Sequence, residues 1–364
     1  MKRFGNFLCT SRRRCSGQVG CDSLEWSASV TVSSGPGQNR LQRYKQAMFF
    51  NLPGIPLRIL TAVQKLPSSF LDVHRDWLGR LQQDDGGFPG RSGSSSLYYS
   101  AFAARLLALI GCSHASQWER LVTYLKRELR DDRSIKTLVD LDSAVTLYAL
   151  ATLFVEDDLS DVGTALCQIG RVLLNGLQRE DGGFAKAPQS AMGSTYHTYL
   201  AILAARLLEL PLPDQDRLTR FFAERQQSDG GFVELPFLRK SGTNPTAAAV
   251  VALAQLERLA AIDLNRVRQF FASVQRPDGG FAASAHVGES DLLSTCSALI
   301  SLSYLHEKNL PFEWNQTENY CLSLANPSGG FFGHHRDDQR DVEYTFYGIL
   351  SLAALQMLKQ RVIR

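Results

Sequence analysis

The sequence lacks the features that mark a membrane protein or a nucleic-acid-binding protein. No apolar run reaches the roughly 18 residues that a spanning helix needs, so we predict no membrane span. Net charge is nearly absent, because 39 Lys and Arg stand against 36 Asp and Glu, a formal charge of +3. This excess is small and evenly spread, and it predicts neither nucleic acid nor an anionic membrane as a partner.

The cysteines lack the spacing of a disulfide framework. Their number is odd: Cys9, Cys15, Cys21, Cys112, Cys167, Cys296 and Cys321. A small disulfide-stapled secreted domain carries an even set at regular intervals. We therefore interpret these residues as reduced thiols of an intracellular, cytoplasmic protein.

The first 47 residues lack periodicity, and no acidic residue precedes Asp22. Their richness in Arg, Ser and Gly is typical of a transit peptide, and equally of a tract translated from a start codon placed too early. Met48 opens "MFFNLPGIPLRIL" and is an alternative start. We predict residues 1–47 to be an extension outside the fold, and residues 48–364 to be the folded domain.

The sequence does have one phrase that returns along the chain: QQDDGGF, QREDGGF, QQSDGGF, QRPDGGF and ANPSGGF. The residue before each glycine pair is Asp85, Asp181, Asp229, Asp278 and finally Ser328, at intervals of 96, 48, 49 and 50 residues. The first interval is twice the second, so a degenerate copy is predicted near residue 133, in "ELRDDRSIKTL". Six units of about 48 residues indicate a repeat architecture.

Each unit reads as two helices joined by the glycine pair. In the third unit, "LSDVGTALCQIGRVLLNGLQ" has the three-and-four apolar spacing of an amphipathic helix. After the glycines, "STYHTYLAILAARLLEL" is apolar on almost every side, which indicates a buried helix. The sequence therefore predicts an all-α fold, an α/α toroid of about six helical hairpins with Gly-Gly-Phe loops. The alternative is an open helical solenoid, which lacks such a loop at each turn.

The glycine-pair phrase, followed by an inner helix such as "DVEYTFYGILSLAAL", resembles the β subunit of protein prenyltransferases. More loosely, it is similar to the repeats of squalene and terpene cyclases. The resemblance covers about 290 residues, and it implies an isoprenoid diphosphate ligand, a zinc ion that activates a substrate thiolate, and a helical α-subunit partner. We interpret the repeated Gln and Asp as scaffold, hydrogen-bonded to backbone groups of adjacent loops, because a catalytic acid is needed only once.

The zinc ligands that the resemblance implies are an Asp and a Cys opening the fifth inner helix and a His opening the last. Here these positions hold Asp291, Leu293 and Tyr344. Asp291 is therefore the one candidate metal ligand that matches the motif. Cys296, about one helical turn further on, and the pair His334 and His335 are candidate replacements.

A second interpretation of Asp291 is a helix N-cap. Residues of the types favoured at N-caps recur at the same predicted phase of the six inner helices: Gly93, Asp142, Ser194, Gly242, Asp291 and Asp341. A capping carboxylate satisfies a free backbone N–H and explains Asp291 without a metal. Both interpretations stay open at this point.

The family places basic residues in the loop before the fifth inner helix, to bind the diphosphate. The corresponding loop here, "FAASAHVGES", has no Arg or Lys. Other basic residues are predicted on the same rim and are candidate anion contacts: Arg91, Lys186, Arg239, Lys240 and Arg336. Scattered surface charge is the alternative interpretation.

Aromatic residues near the starts of the inner helices predict the wall of a central funnel. The candidates are Tyr98, Tyr196, His197, Tyr199, Tyr344 and Phe346. An aromatic wall suits an isoprenoid chain or a developing carbocation, although aromatics at helical spacing are also ordinary core.

Three functions are consistent with these residues. The first is a prenyltransferase-like protein that binds an isoprenoid diphosphate and, if active, transfers a prenyl group to a thiol. The second is a non-catalytic binding module that retains only the toroid. The third is a terpene-cyclase-like enzyme, which needs an acidic cluster; "DLDSA", with Asp140 and Asp142, is the nearest candidate.

Overall fold

The computed structural model describes residues 55–111, 115–130, 134–212, 214–305 and 312–362. The predicted extension, the alternative start at Met48 and the cysteines at positions 9, 15, 21 and 112 lie outside the described residues. In the part of the chain that is described, no helix is both long and apolar enough to cross a membrane.

The described residues form thirteen α-helices, three two-stranded antiparallel sheets and one 3-10 turn, Leu259–Ala261. The helices are α1 (Ile55–Val63), α2 (Ser68–Leu81), α3 (Leu97–Ile110), α4 (Ala115–Arg130), α5 (Leu138–Phe154), α6 (Ser160–Leu177), α7 (Thr195–Leu207), α8 (Gln215–Ala223), α9 (Thr243–Gln255), α10 (Leu264–Val274), α11 (Leu292–Tyr304), α12 (Trp314–Ser323) and α13 (Val342–Val362). The paired strands are β1 (Phe88–Pro89) with β2 (Ser95–Ser96), β3 (Phe281–Ala282) with β4 (Ser290–Asp291), and β5 (Phe331–Phe332) with β6 (Arg340–Asp341).

The odd-numbered helices from α3 to α13 form a closed inner ring. Each packs on the next one along the chain, and α13 packs back on α3. The even-numbered helices from α2 to α12 lie outside them, and α1 packs on α13 and α3. The fold is therefore the predicted α/α toroid, and its closure excludes the open solenoid.

The burial pattern explains why the helices sort into two rings. Inner helix α5 buries residues on all sides, from Leu138 to Ala151. Outer helix α8 buries only Leu218, Phe221 and Phe222, which lie on one face. A helix that is apolar all round is stable only when other helices surround it, so the inner helices require the outer ring.

The first glycine of each pair allows the loop to rest on the next outer helix. At Gly230 the φ angle is +87°, and a Cβ there would lie 2.1 Å from the carbonyl oxygen of Arg266 on α10. The preceding Gln226 donates from Nε2 to the carbonyl oxygen of Asp263, which caps the same helix, at 3.0 Å. The phrase therefore joins each unit to its neighbour, as the scaffold interpretation predicts.

The aspartate of the phrase accepts hydrogen bonds from backbone amides of its own loop. Asp229 accepts hydrogen bonds from the Gly231 N–H at 3.0 Å and from the Ser241 hydroxyl at 2.8 Å. Asp85 and Asp278 bond their own loops in the same way. The prediction that Gln reaches an adjacent unit is confirmed. For Asp the predicted bonds to backbone groups of adjacent loops are wrong, because the carboxylates accept amides of their own loops. Asp85 and Asp181 reach the next unit through the side chains of Arg127 and Arg225 instead.

The buried phenylalanine fixes the register of each inner helix. Its N–H donates to a hydroxyl on that helix, in the pairs Phe88 with Ser100, Phe184 with Thr198, Phe232 with Thr246, Phe281 with Thr295 and Phe331 with Thr345. These hydroxyls mark equivalent positions in five of the inner helices.

The predicted N-cap phase is correct in the last four units and wrong in the first two. Ser194, Gly242 and Asp291 occupy N-cap positions, and Asp341 immediately precedes α13 and accepts the Tyr344 N–H. In the first unit the cap is Ser96, not Gly93, and in the second it is Thr137, not Asp142. In the first unit Ser96 lies four residues before Ser100, the hydroxyl that accepts the Phe88 N–H, just as Ser194 lies four residues before Thr198, so Gly93 falls three residues too early. The second unit has no glycine pair to set the phase.

The ring closes where the last loop meets the first outer helix. A Cβ on Gly329 would lie 2.6 Å from the carbonyl oxygen of Val73 on α2. The Gly330 N–H donates to Nδ1 of His74 at 2.9 Å, and the His74 ring stacks on Phe331. These contacts join residues that are about 256 positions apart.

Closure is expected to weaken in acid because His74 must stay neutral. Burial, together with the nearby Arg340, lowers the pKa of His74 to about 4. A depressed histidine pKa means that the stabilisation is complete above the unfolded value of about 6.5 and is lost as pH falls toward the folded value. We expect His74 to cost about 2 kcal/mol of unfolding free energy between pH 7 and pH 5.

Urea unfolding of the protein and of His74→Asn at both pH values measures this effect. The asparagine oxygen can accept the Gly330 N–H without titrating, so the variant should lose correspondingly less stability in acid. An equal loss in both proteins would contradict the assignment.

Candidate functional site

A cavity of about 500 Å³ lies inside the inner ring. Its mouth is lined by the second residue of five inner helices: Tyr98, Tyr196, Asn244, Leu293 and Glu343. Seven positions further along each helix, on the same face, lie Arg105, Leu203, Val251, Ile300 and Leu350, which also line the cavity. Because a helix rises about 1.5 Å per residue, these side chains are about 10 Å deeper.

Glu343 lies at the mouth between two tyrosines. It accepts hydrogen bonds on Oε1 from the Tyr98 hydroxyl at 2.6 Å and from the Tyr347 hydroxyl at 3.1 Å. Burial raises the pKa of the Glu343 carboxyl, and the Tyr98 hydrogen bond opposes this shift. The two hydroxyls fix the position of the carboxylate at the rim of the cavity.

A second carboxylate, Glu234, reaches the mouth from the loop before α9. It accepts hydrogen bonds from the Ser194 hydroxyl and, at 3.3 Å to Oε2, from the Tyr196 N–H. Burial raises the pKa of the Glu234 carboxyl, which these hydrogen bonds oppose. The first turn of α7 thus holds Glu234 in place.

Arg105 and Asp142 form an ion pair deeper in the cavity. Arg105 Nη2 donates to Asp142 Oδ2 at 3.0 Å and to Thr146 Oγ1 at 2.9 Å. The other carboxylate oxygen, Asp142 Oδ1, is buried without a hydrogen-bond partner. Burial raises the pKa of the Asp142 carboxyl, and Arg105 opposes this shift.

Four of the predicted funnel residues line the cavity: Tyr98, Tyr196, Tyr199 and Phe346. Two do not. The Nδ1 of His197 lies 2.8 Å from the Ser194 hydroxyl, and burial, with Lys186, lowers the His197 pKa to about 4. Tyr344 lies instead under the Arg91 guanidinium, 5.4 Å from its ring centroid. A ligand-binding role for the four lining residues stays a prediction.

The sequence reasoning missed Phe102, Arg105, Glu234 and Glu343. It assigned Asp142 to an N-cap and, with Asp140, to the acidic candidate of a cyclase-like site. Asp142 is the fifth residue of α5 and lines the cavity. The signal that was available is the heptad step from the second residue of each inner helix, which leads from Tyr98 to Arg105. Glu234 carries no such signal because it lies in a loop.

The residues at the family's zinc positions do not fit the metal. Both carboxylate oxygens of Asp291 are engaged by Ser294, with the N–H at 2.7 Å and the hydroxyl at 2.8 Å. Leu293 presents an apolar side chain to the cavity. Cys296 lines the cavity, but burial raises the pKa of its thiol to about 12, which opposes the thiolate that zinc requires.

The candidate replacement histidines have other contacts. His334 Nδ1 lies 3.3 Å from Glu289 Oε1, and the His335 ring packs edge-on against Tyr320. Among the described residues, no group of three or more His, Cys, Asp and Glu side chains is arranged to hold a metal ion. We therefore assign no step of a mechanism to zinc.

The predicted anion contacts lie in the rim loops, outside the cavity lining. Lys186, Arg239 and Lys240 are exposed. Arg336 is also exposed and pairs with Glu289 at 3.3 Å. Arg91 pairs with Asp337 and Asp341. Anion binding by Lys186, Arg239, Lys240 and Arg336 stays a prediction.

The repeats allow the chain to be compared with known protein families. The family model of the prenyltransferase α/α-toroid domain matches residues 40–236 and 214–363. The chain belongs to this family. Among curated proteins, no sequence match is found for this family member.

Proteins whose solved structures share this toroid catalyse different reactions. Protein geranylgeranyltransferase-I of Candida albicans, complexed with GGPP, is 18% identical, with a TM-score of 0.55 over 80% of this chain and 98% of that chain. The type II terpene cyclase MstE from Scytonema, in complex with geranylgeranyl dihydroxybenzoate, is 14% identical, with a TM-score of 0.55 over 83% and 99%. The GH76A α-1,6-mannanase from Salegentibacter is 13% identical, with a TM-score of 0.53 over 80% and 99%. At these identities the likeness shows a shared fold, so function must be argued from the site.

Proposed function

We propose that this prenyltransferase-toroid protein binds an isoprenoid chain in the cavity of its inner ring. The observation that carries the proposal is the wall of that cavity, which is aromatic near the mouth and largely aliphatic below it. Phe102, Tyr199 and Phe346 lie one turn inside, and Leu203, Val251 and Ile300 lie deeper. A cavity of about 500 Å³ is in the range of small-molecule sites, which are mostly apolar with a few polar groups.

Two of the solved relatives support this assignment by what they hold. The geranylgeranyltransferase complex contains GGPP, and the MstE complex contains a geranylgeranyl dihydroxybenzoate. The two ligands share a twenty-carbon isoprenoid chain and differ in the head group. We therefore expect the isoprenoid chain to be the part of the ligand that this toroid binds.

The family resemblance also gives three finer predictions: a diphosphate head group, a helical α-subunit and zinc-dependent transfer to a thiol. An isoprenoid diphosphate would place its anionic group near the rim residues Lys186, Arg239, Lys240 and Arg336. A helical α-subunit partner remains an expectation. Zinc-dependent transfer to a thiol is not part of the proposal, because the residues at the zinc positions do not fit the metal.

The test is a thermal-shift titration of the full chain with geranylgeraniol, with GGPP and with pyrophosphate alone. A ligand at a hundred times its Kd adds about 2.7 kcal/mol of stability, which raises Tm by several degrees. We expect a shift from at least one geranylgeranyl compound and none from pyrophosphate. The absence of a shift with every isoprenoid would contradict the proposal.

A cavity-filling variant locates the site. Ala248 lines the cavity, so Ala248→Phe should reduce the affinity for geranylgeraniol at least tenfold. The matched control is Val172→Phe, since Val172 lies on outer helix α6 and is 72% exposed. Equal affinity of the two variants would place the chain elsewhere.

A second candidate function is acid-initiated cyclisation, and Asp142 is the observation that favours it. Its carboxyl lines the cavity and its pKa is raised. Proton transfer to a chain alkene would leave a carboxylate and a carbocation, and the carbocation would close a ring and return a proton. Asp140 does not join this site, because its carboxylate accepts the Thr137 N–H outside the cavity. The titration mixtures with the geranylgeranyl compounds can be extracted and searched for cyclised isomers of those compounds. Isomers that form with the protein but not with Asp142→Asn would establish this activity.

A further inference from the structure

The mouth of the cavity is acidic, and the described residues that line it include no cation. Glu234 and Glu343 both line it, and their hydrogen-bond partners among the described residues are hydroxyl and amide groups. Among the described lining residues the one cationic side chain is Arg105, about two turns deeper than Tyr98. Arg105 is already paired with Asp142.

The cations whose charge lowers the pKa of the two glutamates are engaged elsewhere or exposed. Arg91, near Glu343, pairs with Asp337 and Asp341. Arg225, near Glu234, pairs with Asp181 at 2.9 Å. Lys186 lies in an exposed rim loop. A head group at the mouth would therefore meet two carboxylates that form no ion pair with any described residue.

An independent observation deeper in the same cavity points to a hydrogen-bond donor. Asp142 is only 6% exposed, and its Oδ1 atom has no hydrogen-bond partner. A buried acceptor left unsatisfied costs free energy, which a donor on a ligand would recover. Among the described residues, the Asp142 Oδ1 atom thus lacks a hydrogen-bond donor.

The aromatic side chains around these carboxylates favour the same ligand chemistry. Tyr98, Tyr196 and Tyr347 line the cavity beside Glu343, with Phe102 and Phe346 against them. The faces of such rings attract cations, more strongly where water is excluded. Aromatic faces together with carboxylates form a site for an ammonium group.

We propose that the ligand of this cavity is an amphiphile with a primary ammonium head group, which binds between Glu234 and Glu343 at the mouth, and not a diphosphate. The proposal rests on the proposed function for the apolar body of the ligand. A diphosphate would place its negative charges against two carboxylates, and a buried charge requires a counter-charge. An ammonium group supplies that counter-charge and three hydrogen-bond donors.

The experiment measures the affinity of the full chain for four compounds by calorimetry: geranylgeranylamine, geranylgeraniol, GGPP and the straight-chain hexadecylamine. We expect geranylgeranylamine to bind at least tenfold more tightly than the alcohol, and GGPP to bind more weakly than the alcohol. Glu234→Gln and Glu343→Gln should each weaken the binding of the amine about tenfold and weaken that of the alcohol much less, because the alcohol carries no charge. Retained binding of the alcohol also shows that the variants are folded.

Glu289→Gln is the matched control, because Glu289 is an acidic rim residue that pairs with Arg336 outside the lining. It should not change the affinity for the amine. Tighter binding of GGPP than of the amine, or an amine affinity that neither mouth variant alters, would overturn the ammonium proposal. If hexadecylamine binds with the same dependence on Glu343 and no isoprenoid does, the isoprenoid assignment fails and the head-group assignment stands. If none of the four binds, both fail.

Discussion

Replacing Gly329 by alanine is expected to destabilise the protein by about 4 kcal/mol, because it acts on the contact that closes the ring. The φ angle of Gly329 is +91°, and a Cβ would lie 2.3 Å from the Cβ of Trp77 and 2.6 Å from the carbonyl oxygen of Val73. The backbone conformation and the overlap both oppose a side chain there. Neither the φ angle nor α2 can relax without separating the last loop from the first outer helix.

Gly176→Ala provides the control for this prediction. Gly176 lies in α6, and a Cβ there would meet nothing within 4 Å. The change should be neutral or stabilise the protein by up to about 1 kcal/mol. Urea unfolding of both variants gives the comparison, and a loss of less than about 1 kcal/mol for Gly329→Ala would show that the ring does not depend on this contact.

The same glycines explain why the fold could be predicted from sequence. A pair in which the first residue needs positive φ and the second packs against an aromatic ring, such as Gly231 on Phe270, allows no other residue type. The phrase therefore persists in five units, and its interval gives the repeat length. The second unit has no glycine pair, so its sequence does not indicate the register of α5. Asp142 was therefore wrongly predicted as the N-cap of that helix.

The site was less predictable, because one position along a helix turns a side chain by about 100°. Tyr196 lines the cavity, whereas the adjacent His197 faces Ser194. Aromatic composition near a helix start cannot separate two such neighbours. The carboxylates were harder still, since Glu234 comes from a loop whose path depends on the Ser194 and Tyr196 contacts.

The family resemblance predicted the scaffold, whereas it did not predict the charged residues that line the cavity. The zinc positions hold Leu293 and Tyr344, and the charged groups that line the cavity are instead Arg105, Asp142, Glu234 and Glu343. Packing of the two rings requires the repeat phrase but does not restrict the side chains that line the cavity. Similarity in the repeat phrase therefore does not predict which residues line the cavity.

Replacing Arg105 by methionine is expected to cost about 3 to 5 kcal/mol, because it leaves the Asp142 carboxylate buried without its cation. Both side chains are mostly buried, and their ion pair of 3.0 Å crosses from α3 to α5. The combined variant Arg105→Met/Asp142→Leu removes both charges and should recover most of the loss. Chemical unfolding of the two single variants and the double variant gives the coupling free energy of the pair.

The pH dependence of Arg105→Met separates a buried charge from simple loss of packing. Without Arg105, the Asp142 pKa in the folded state rises further above its unfolded value. Protonation then removes the buried charge, so the stability deficit of the variant should shrink as pH falls from 7 to 5. A deficit that is constant with pH would mean that the methionine fails to pack. If the double variant is stable and still binds geranylgeraniol, the ion pair is not required for binding the isoprenoid chain.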